Sequence, residues 1–113
     1  MDISVQNRKQ WVVLTVRGRI DSYTYEYLDD KINLLQRMGK KNIALDLRGV
    51  SFVNINGARL IAITAREVRS EGGHLALISP LERAVEAVNL FTESTSYEVH
   101  HTLDEFEWKH MLL

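Results

Sequence analysis

The sequence predicts an α/β fold in which a mixed central sheet of about four or five strands is covered by about four helices. Short runs rich in β-branched and aromatic residues alternate with longer runs whose apolar residues recur at helical spacing. The first two strand-like runs follow each other directly, which favours an antiparallel hairpin before the alternation begins. Because no repeat or linker-like tract interrupts the chain, we expect one domain over residues 1–113.

The amino-terminal part predicts two strands and a helix. Residues 3–6 and 11–17 have strand composition, and the polar NRKQ between them indicates a turn. The stretch 18–22 breaks the strand pattern, and a helix is predicted over 22–38, with Gly39 as its carboxyl-terminal stop. The residues expected to face the core from this helix are Leu28, Ile32 and Leu35.

The middle of the chain predicts a central strand and a second helix. NIALDL, residues 42–47, is apolar enough to lie inside a sheet. A helix is predicted from about Asn54 to Ser70, ending before two consecutive glycines. Its expected buried stripe consists of Ala58, Ile61, Ala65 and Val68.

The carboxyl-terminal part predicts two further strand–helix pairs. Pro80 suits the first turn of a helix, because its missing N–H would have no helical partner there. Thr102, followed three residues later by Glu105, forms a capping-box pattern at the start of a last helix. The predicted elements are a strand over 74–79, a helix over 81–91, a strand over 96–101 and a helix over 102–111.

The composition restricts the classes of function. The chain has no cysteine, which excludes disulfides and thiolate metal sites and fits a reducing compartment. A net charge of −1 gives no reason to expect a nucleic-acid partner. No apolar run reaches the roughly 20 residues that span a bilayer, and the polar start lacks a signal-peptide core. We therefore expect a cytoplasmic protein without direct membrane insertion.

The sequence carries no pattern typical of an enzyme, a cofactor site or a metal site. It has neither a His-Glu-x-x-His motif nor a phosphate-binding glycine loop. His100 and His101 would point to opposite faces of a strand, and His110 is predicted to lie on the surface. Asp21 and Asp46 could supply a carboxylate pair, but an ion pair or hydrogen bond at a strand end is the favoured role of Asp46. The prediction is a non-enzymatic protein.

Three motifs in order resemble those of the STAS domain family: Gly18-Arg19-Ile20-Asp21, then IALDLRGVSFVNINGARL, then EGGHLALIS. The family contains bacterial anti-sigma-factor antagonists and the tails of sulfate transporters. The resemblance covers nearly the whole chain and loosens after about Ala87. It implies a non-catalytic module that binds other proteins.

The signature loop of that family reads Asp-Ser-Ser-Gly or a close variant, and a kinase-type anti-sigma factor phosphorylates its second serine. By resemblance, Asn54 stands at the acidic position, Ile55 at the first serine, Asn56 at the phosphoacceptor and Gly57 at the glycine. The acidic residue that members often keep after the second strand corresponds to Asp21. Because Asn56 has no hydroxyl, phosphorylation at this position is chemically impossible.

Two interpretations of the asparagines are open. Asn56 could lock a neutral, always-competent binding surface, with its amide oxygen capping the helix as serine would. Alternatively, Asn54 and Asn56 are only a cap and a turn residue. A phosphosite could also have moved to another hydroxyl, although capping or turn hydrogen bonds are the favoured roles of these side chains. The candidate hydroxyls are Ser22, Thr24 and Ser51.

The second helix also predicts a partner surface. Arg59, Ile63 and Arg66 share the face opposite the buried stripe, together with Asn56 and Glu67. An apolar residue flanked by arginines is typical of interface anchors, and Tyr23 could extend this patch from the first helix, with Tyr27 beside it.

The resemblance implies two possible partners. The first is a kinase-type anti-sigma factor, whose binding would free a sigma factor. The alternative is the ATPase subunit of a lipid-transport complex, in which small STAS proteins serve as accessory subunits. A small-ligand sensor is a third class of function, and no residue pattern in this chain supports it.

Overall fold

The computed structural model describes residues 1–112, which form one five-stranded sheet in the order β1-β2-β3-β4-β5. The first two strands pair antiparallel, and every later pair is parallel, so the sheet is mixed. Four α-helices accompany it, and the predicted α/β class is confirmed. The strands are β1 Asp2–Arg8, β2 Trp11–Ile20, β3 Asn42–Val53, β4 His74–Ile78 and β5 Glu98–His100.

The helices divide between the two faces of the sheet. Those named α1, α2 and α3 pack on one face, and α4 packs on the other. The predicted stripes of α1 and α2 are buried as expected. The helices are α1 Tyr25–Arg37, α2 Ile55–Ser70, α3 Glu82–Val88 and α4 Leu103–His110.

Side-chain alternation in the strands builds both cores. In β2, Val12 and Leu14 point towards α1–α3, whereas Trp11 and Val13 point towards α4 and contact the cluster around Phe106. The larger cluster holds the three helices with the sheet, and the smaller one fixes the carboxyl-terminal helix. Both faces of the central strands are therefore apolar, as is usual for a parallel sheet covered by helices.

Strands β2 and β3 extend beyond their predicted ends at 17 and 47. The predicted break over 18–22 begins only at Asp21, because β2 continues to Ile20 alongside a β3 that continues to Val53. Two register shifts keep the pair together, and each gives β3 one residue more than β2 over the same stretch. Gly49 lets the side chain of Arg17 in β2 lie close against β3, since a Cβ at residue 49 would be 2.9 Å from Cγ of Arg17. Gly18, which opened the predicted break, thus lies inside β2.

The carboxyl-terminal elements are shorter than predicted. Helix α3 ends at Val88 rather than 91, and a short 3-10 helix over Ser94–Ser96 follows it. Thr102 caps α4 as expected, accepting from the backbone N–H of Glu105 at 3.1 Å. None of the helices within residues 1–112 combines the length and the apolar character needed to cross a membrane.

Candidate functional site

The candidate site lies where β2 and β3 end side by side. Ile20 and Val53 are register partners, and the backbone N–H of Asn54 donates to the carbonyl oxygen of Ile20 at 2.8 Å. Because parallel strands finish at the same edge, the chain segments that follow them emerge together. Asp21 and Asn54 are thereby brought next to each other.

Asn54 is the N-cap of α2. Its side-chain oxygen accepts from the backbone N–H of Gly57 at 2.9 Å, and its backbone is extended, with φ −83° and ψ 178°. Asn56 is the second residue of the helix, so the expectation that Asn56 could cap α2 is wrong. Its half-buried side chain lies in a helical turn that contains no acidic residue.

Gly57 lets α2 approach the ends of both strands. A Cβ at this position would lie 2.6 Å from Cγ2 of Ile20 and 3.1 Å from Cγ1 of Val53. The first distance is shorter than real side chains tolerate without displacement of a neighbour. This packing requirement is independent of any phosphorylation.

Asp21 organises the turn between β2 and α1. Its Oδ1 accepts the backbone N–H groups of Tyr23 at 2.9 Å and Thr24 at 3.2 Å. The hydrogen bond from Tyr23 is the main cause that lowers the pKa of Asp21, with further contributions from Thr24 and the charge of Arg19 against the opposing effect of desolvation. A negative charge therefore stands beside the start of α2 at neutral pH.

The three candidate hydroxyls differ in their surroundings. The Thr24 hydroxyl donates to the carbonyl oxygen of Arg19 at 2.6 Å and accepts from the backbone N–H of Asp21 at 2.9 Å, so it braces the turn rather than capping α1. Ser22 is exposed in that turn. Ser51 was expected in a turn, but it is an exposed residue of β3 at the second register shift, opposite no residue of β2.

Large apolar side chains are exposed around the site. Tyr23 is 92% exposed, Ile55 47% and Phe52 38%, and the guanidinium of Arg19 lies 4.3 Å from the centre of the Phe52 ring. We call Arg19, Tyr23, Phe52, Ile55 and Asn56 the edge surface. Phe52 and Arg19 were not predicted to belong to this surface, because their positions depend on the extension of β3 beside β2.

The predicted patch on α2 is only partly free. Arg59 lies over the Phe91 ring, with 5.0 Å between the guanidinium carbon and the ring centre. Arg66 donates from Nη1 to the carbonyl oxygen of Phe91 at 2.9 Å. Both arginines therefore help to hold the segment after α3, a role that was not predicted for the pair flanking the exposed Ile63. A shallow groove of about 380 Å³ lies between α1 and α2, lined by Tyr25, Asp29, Asn56, Arg59, Ile63 and Glu67 among others.

Asp21 and Asp46 do not form a carboxylate pair. Asp46 is opposite Thr15, whereas Asp21 lies six residues after Thr15, so the two positions are separated by roughly 20 Å along β2. Asp46 is buried in the middle of β3, not at a strand end, and makes a two-pronged ion pair with Arg48 at 2.9 and 2.7 Å. The predicted pairing of Asp46 is thus present, and its carboxylate is occupied.

The histidine predicted on the surface is half-buried. The His110 ring lies 4.6 Å from Trp11 and 5.1 Å from Phe106, centre to centre, and its Nε2 is 3.0 Å from Oε1 of Glu98. His100 is buried beside it and reaches the same carboxylate oxygen at 2.9 Å. No sequence pattern indicates this cluster, because strand β5 and helix α4 supply its members.

The fold and site define a mixed-sheet domain whose glycine-containing helix start lies against the paired ends of two parallel strands. The chain belongs to the STAS domain family, which matches residues 2–106. The resemblance inferred from the three sequence motifs is confirmed.

Solved structures share this fold. A Thermotoga maritima protein, TM1081, is 19% identical with a TM-score of 0.82, covering 95% of this chain and 92% of its own. The phosphorylated form of the Bacillus cell fate determinant SpoIIAA is 20% identical with a TM-score of 0.76, covering 96% and 98%. An anti-sigma factor antagonist from Mycobacterium paratuberculosis is 23% identical with a TM-score of 0.74, covering 92% and 88%.

Proposed function

We propose that this protein is a non-catalytic regulatory module of the cytoplasm that binds a kinase-type anti-sigma factor through the edge surface. The observation that carries the proposal is the position of Asn56, a neutral residue in the first turn of α2, the helix whose N-cap Asn54 lies next to the ionised Asp21. It stands where, by family resemblance, an antagonist would carry its phosphoacceptor.

The charge at residue 56 would decide whether a partner binds. A phosphate at a helix start is stabilised by free N–H groups and the helix dipole, so phosphorylation costs such a domain little stability. It adds about −1.5 to −2 charges, and a partner fitted to a neutral surface is then repelled. Because Asn56 cannot accept a phosphoryl group, this surface stays in the competent state and the module acts constitutively.

The side chains around Asn56 suit a protein partner. Tyr, Phe and Arg are enriched at the centres of protein interfaces, and an exposed cluster of apolar residues is a marker of an interaction site. Tyr23, Phe52 and Ile55 supply the apolar area, and Arg19 stacked on Phe52 supplies a cation. Asp21 offers a negative charge at the border of the same surface.

The experiment that tests the proposal is a binding measurement against purified anti-sigma factors of the ATP-binding kinase type. We expect binding by the wild-type protein, and binding at least tenfold weaker for Asn56→Asp. Asn7→Asp is the matched control, since it makes the same charge change at an exposed residue of β1 that pairs with the start of β2, far from the edge surface. Equal affinity of Asn56→Asp and wild type would contradict a neutral surface by design.

A second measurement separates the partner classes. The tagged protein is captured from its native cells, and the bound proteins are identified by mass spectrometry, with Asn56→Asp as the reference. Loss of an anti-sigma factor from the Asn56→Asp capture supports the proposal. Recovery of a transport ATPase subunit instead, equally with both baits, contradicts it.

A further inference from the structure

Three potential metal ligands converge on the face of the sheet covered by α4. Nε2 of His100 and Nε2 of His110 lie 2.9 and 3.0 Å from the same oxygen, Oε1 of Glu98. One ligand atom from each of these residues lies within 4.8 Å of the other two. Two imidazoles and one carboxylate are a donor set that transition metals favour.

The convergence is a product of the tertiary fold. Glu98 and His100 are two residues apart in β5 and therefore point to the same face of the sheet. Helix α4 packs on this face through Phe106, which places His110, one turn later, against the pair. Ring contacts with Trp11 and Phe106 restrict the orientation of the His110 imidazole. A site whose ligands are positioned before the metal arrives loses less entropy on binding.

We propose that Glu98, His100 and His110 form a binding site for a divalent transition-metal ion of the zinc type. Three protein ligands and one position open to water is a coordination pattern that zinc commonly adopts. Metal–ligand distances of about 2.0–2.2 Å place tetrahedral ligand atoms about 3.3–3.5 Å apart, so the present separations from Oε1 need to open by only a few tenths of an ångström. The two contacts from Nε2 to Glu98 are replaced by bonds from the metal to all three residues.

The surroundings suit a cation. Three nitrogen atoms already surround Oε1 of Glu98: Nε2 of His100 at 2.9 Å, Nε2 of His110 at 3.0 Å and Nζ of Lys109 at 3.2 Å. Lys109 also contacts the carboxylate, with Nζ 3.2 Å from Oε1. Its side chain is mostly exposed and can turn into solvent when the metal enters.

The site is separate from the edge surface in both position and function. It joins β5 to α4 at the carboxyl-terminal end of the chain, whereas the edge surface lies at the ends of β2 and β3. Metal binding would fix α4 to the sheet and so stabilise the folded state, because the unfolded chain does not preform the site. The proposal does not depend on the identity of the protein partner.

The test is a titration of chelator-treated protein with ZnCl₂ by isothermal calorimetry. We expect one zinc ion per chain. When Co²⁺ is used instead, we expect a visible absorption band with the intensity typical of tetrahedrally coordinated cobalt. In a Trp108→Phe background the remaining tryptophan is Trp11, which contacts His110, so its fluorescence should change on metal binding. At a free concentration of ten times the Kd, zinc should raise the Tm by about 5 °C.

His110→Gln is the informative variant, because a glutamine amide can still donate to Glu98 while it is a poor zinc ligand. We expect its zinc affinity to fall at least tenfold and the zinc-dependent rise in Tm to disappear, with an unchanged far-UV circular dichroism spectrum. His101→Ala is the matched control, since His101 is exposed and follows the strand. Absence of binding at 100 µM zinc, or equal losses in both variants, would overturn the proposal.

Discussion

The backbone N–H of Asn54 donates to the carbonyl oxygen of Ile20 at 2.8 Å, and this bond joins the start of helix α2 to the end of strand β2. The same Ile20 side chain blocks any Cβ at Gly57. One turn of helix is thus fixed by a strand that lies more than thirty residues earlier in the sequence. The position of Asn56 follows from this arrangement, and so do its expected effects on binding.

Gly57→Ala should destabilise the fold although alanine is the better helix former. The helical preference would contribute about 1 kcal/mol in favour of alanine. Overpacking against Ile20 costs about 1–3 kcal/mol, and here the nearest atom would be only 2.6 Å away. We expect a net loss of about 1 kcal/mol in the free energy of unfolding, measured by urea denaturation.

A double-mutant cycle identifies the cause of that loss. Ile20→Ala removes the obstructing methyl group, so the cost of Gly57→Ala should shrink or reverse in that background. If Gly57→Ala costs the same with and without Ile20→Ala, the close approach is not the reason for glycine at this position.

Asn56→Ser should convert the constitutive module into a phosphorylatable one. The hydroxyl would sit at the second residue of α2, where the helix start favours a phosphate. We expect a kinase-type anti-sigma factor that binds the wild type to transfer phosphate from ATP to the variant. The measurement is incorporation of labelled phosphate followed by mapping of the modified peptide.

Asn54→Ser is the control for that experiment. Serine at residue 54 would keep the cap to Gly57, and its hydroxyl would be occupied in this hydrogen bond. We expect no phosphate there. Labelling of the wild-type protein at Ser22, Thr24 or Ser51 would show instead that the switch has moved to another hydroxyl.

Asp21 should contribute to stability in a pH-dependent way. Its pKa is lowered in the folded state from an ordinary value of 3.8, chiefly by the N–H of Tyr23. The contribution is therefore present above pH 3.8 and is lost as the pH falls through the lower, folded value. We expect Asp21→Asn to be less stable than the wild type at pH 6, and the difference to shrink below pH 3, measured by thermal unfolding at both pH values. A constant difference would contradict a stabilising role of the ionised Asp21 carboxylate in this turn.

The alternation of residue types was sufficient to predict the class of fold, the order of elements and the buried stripes of α1 and α2. The caps at Asn54 and Thr102 were also predictable, because they depend on residues three positions away. The carboxyl-terminal ends of β2 and β3 were not predictable, since glycines such as Gly18 and Gly49 are typical of strand ends unless the partner strand is known. Patterns among neighbouring residues predict local structure, whereas the bulged pairing of β2 with β3 joins residues that are far apart in the sequence.

The same distinction applies to the sites. The assignment of Asp21 and Asn54 to the candidate site was accessible through family resemblance, but the contacts of Arg59 and Arg66 with Phe91 were not. Likewise, no spacing rule joins Glu98 and His100 to His110, which α4 brings back to the sheet. Surfaces formed by segments that are distant in the sequence can be identified only from the three-dimensional structure.

The edge surface should lose its partner when its most exposed ring is removed. Tyr23 is 92% exposed, so Tyr23→Ala removes little intramolecular packing and should leave the free energy of unfolding almost unchanged. Central aromatic anchors commonly contribute 2 kcal/mol or more to binding, about a thirtyfold change in Kd. Trp108→Ala is the matched control, because Trp108 is also largely exposed, at 77%, but lies on α4 across the sheet. We expect calorimetric titration with the anti-sigma factor to show at least tenfold weaker binding for Tyr23→Ala and wild-type binding for Trp108→Ala. Weaker binding for Trp108→Ala with wild-type binding for Tyr23→Ala would place the partner on the α4 face, where the neutral Asn56 could have no part in recognition.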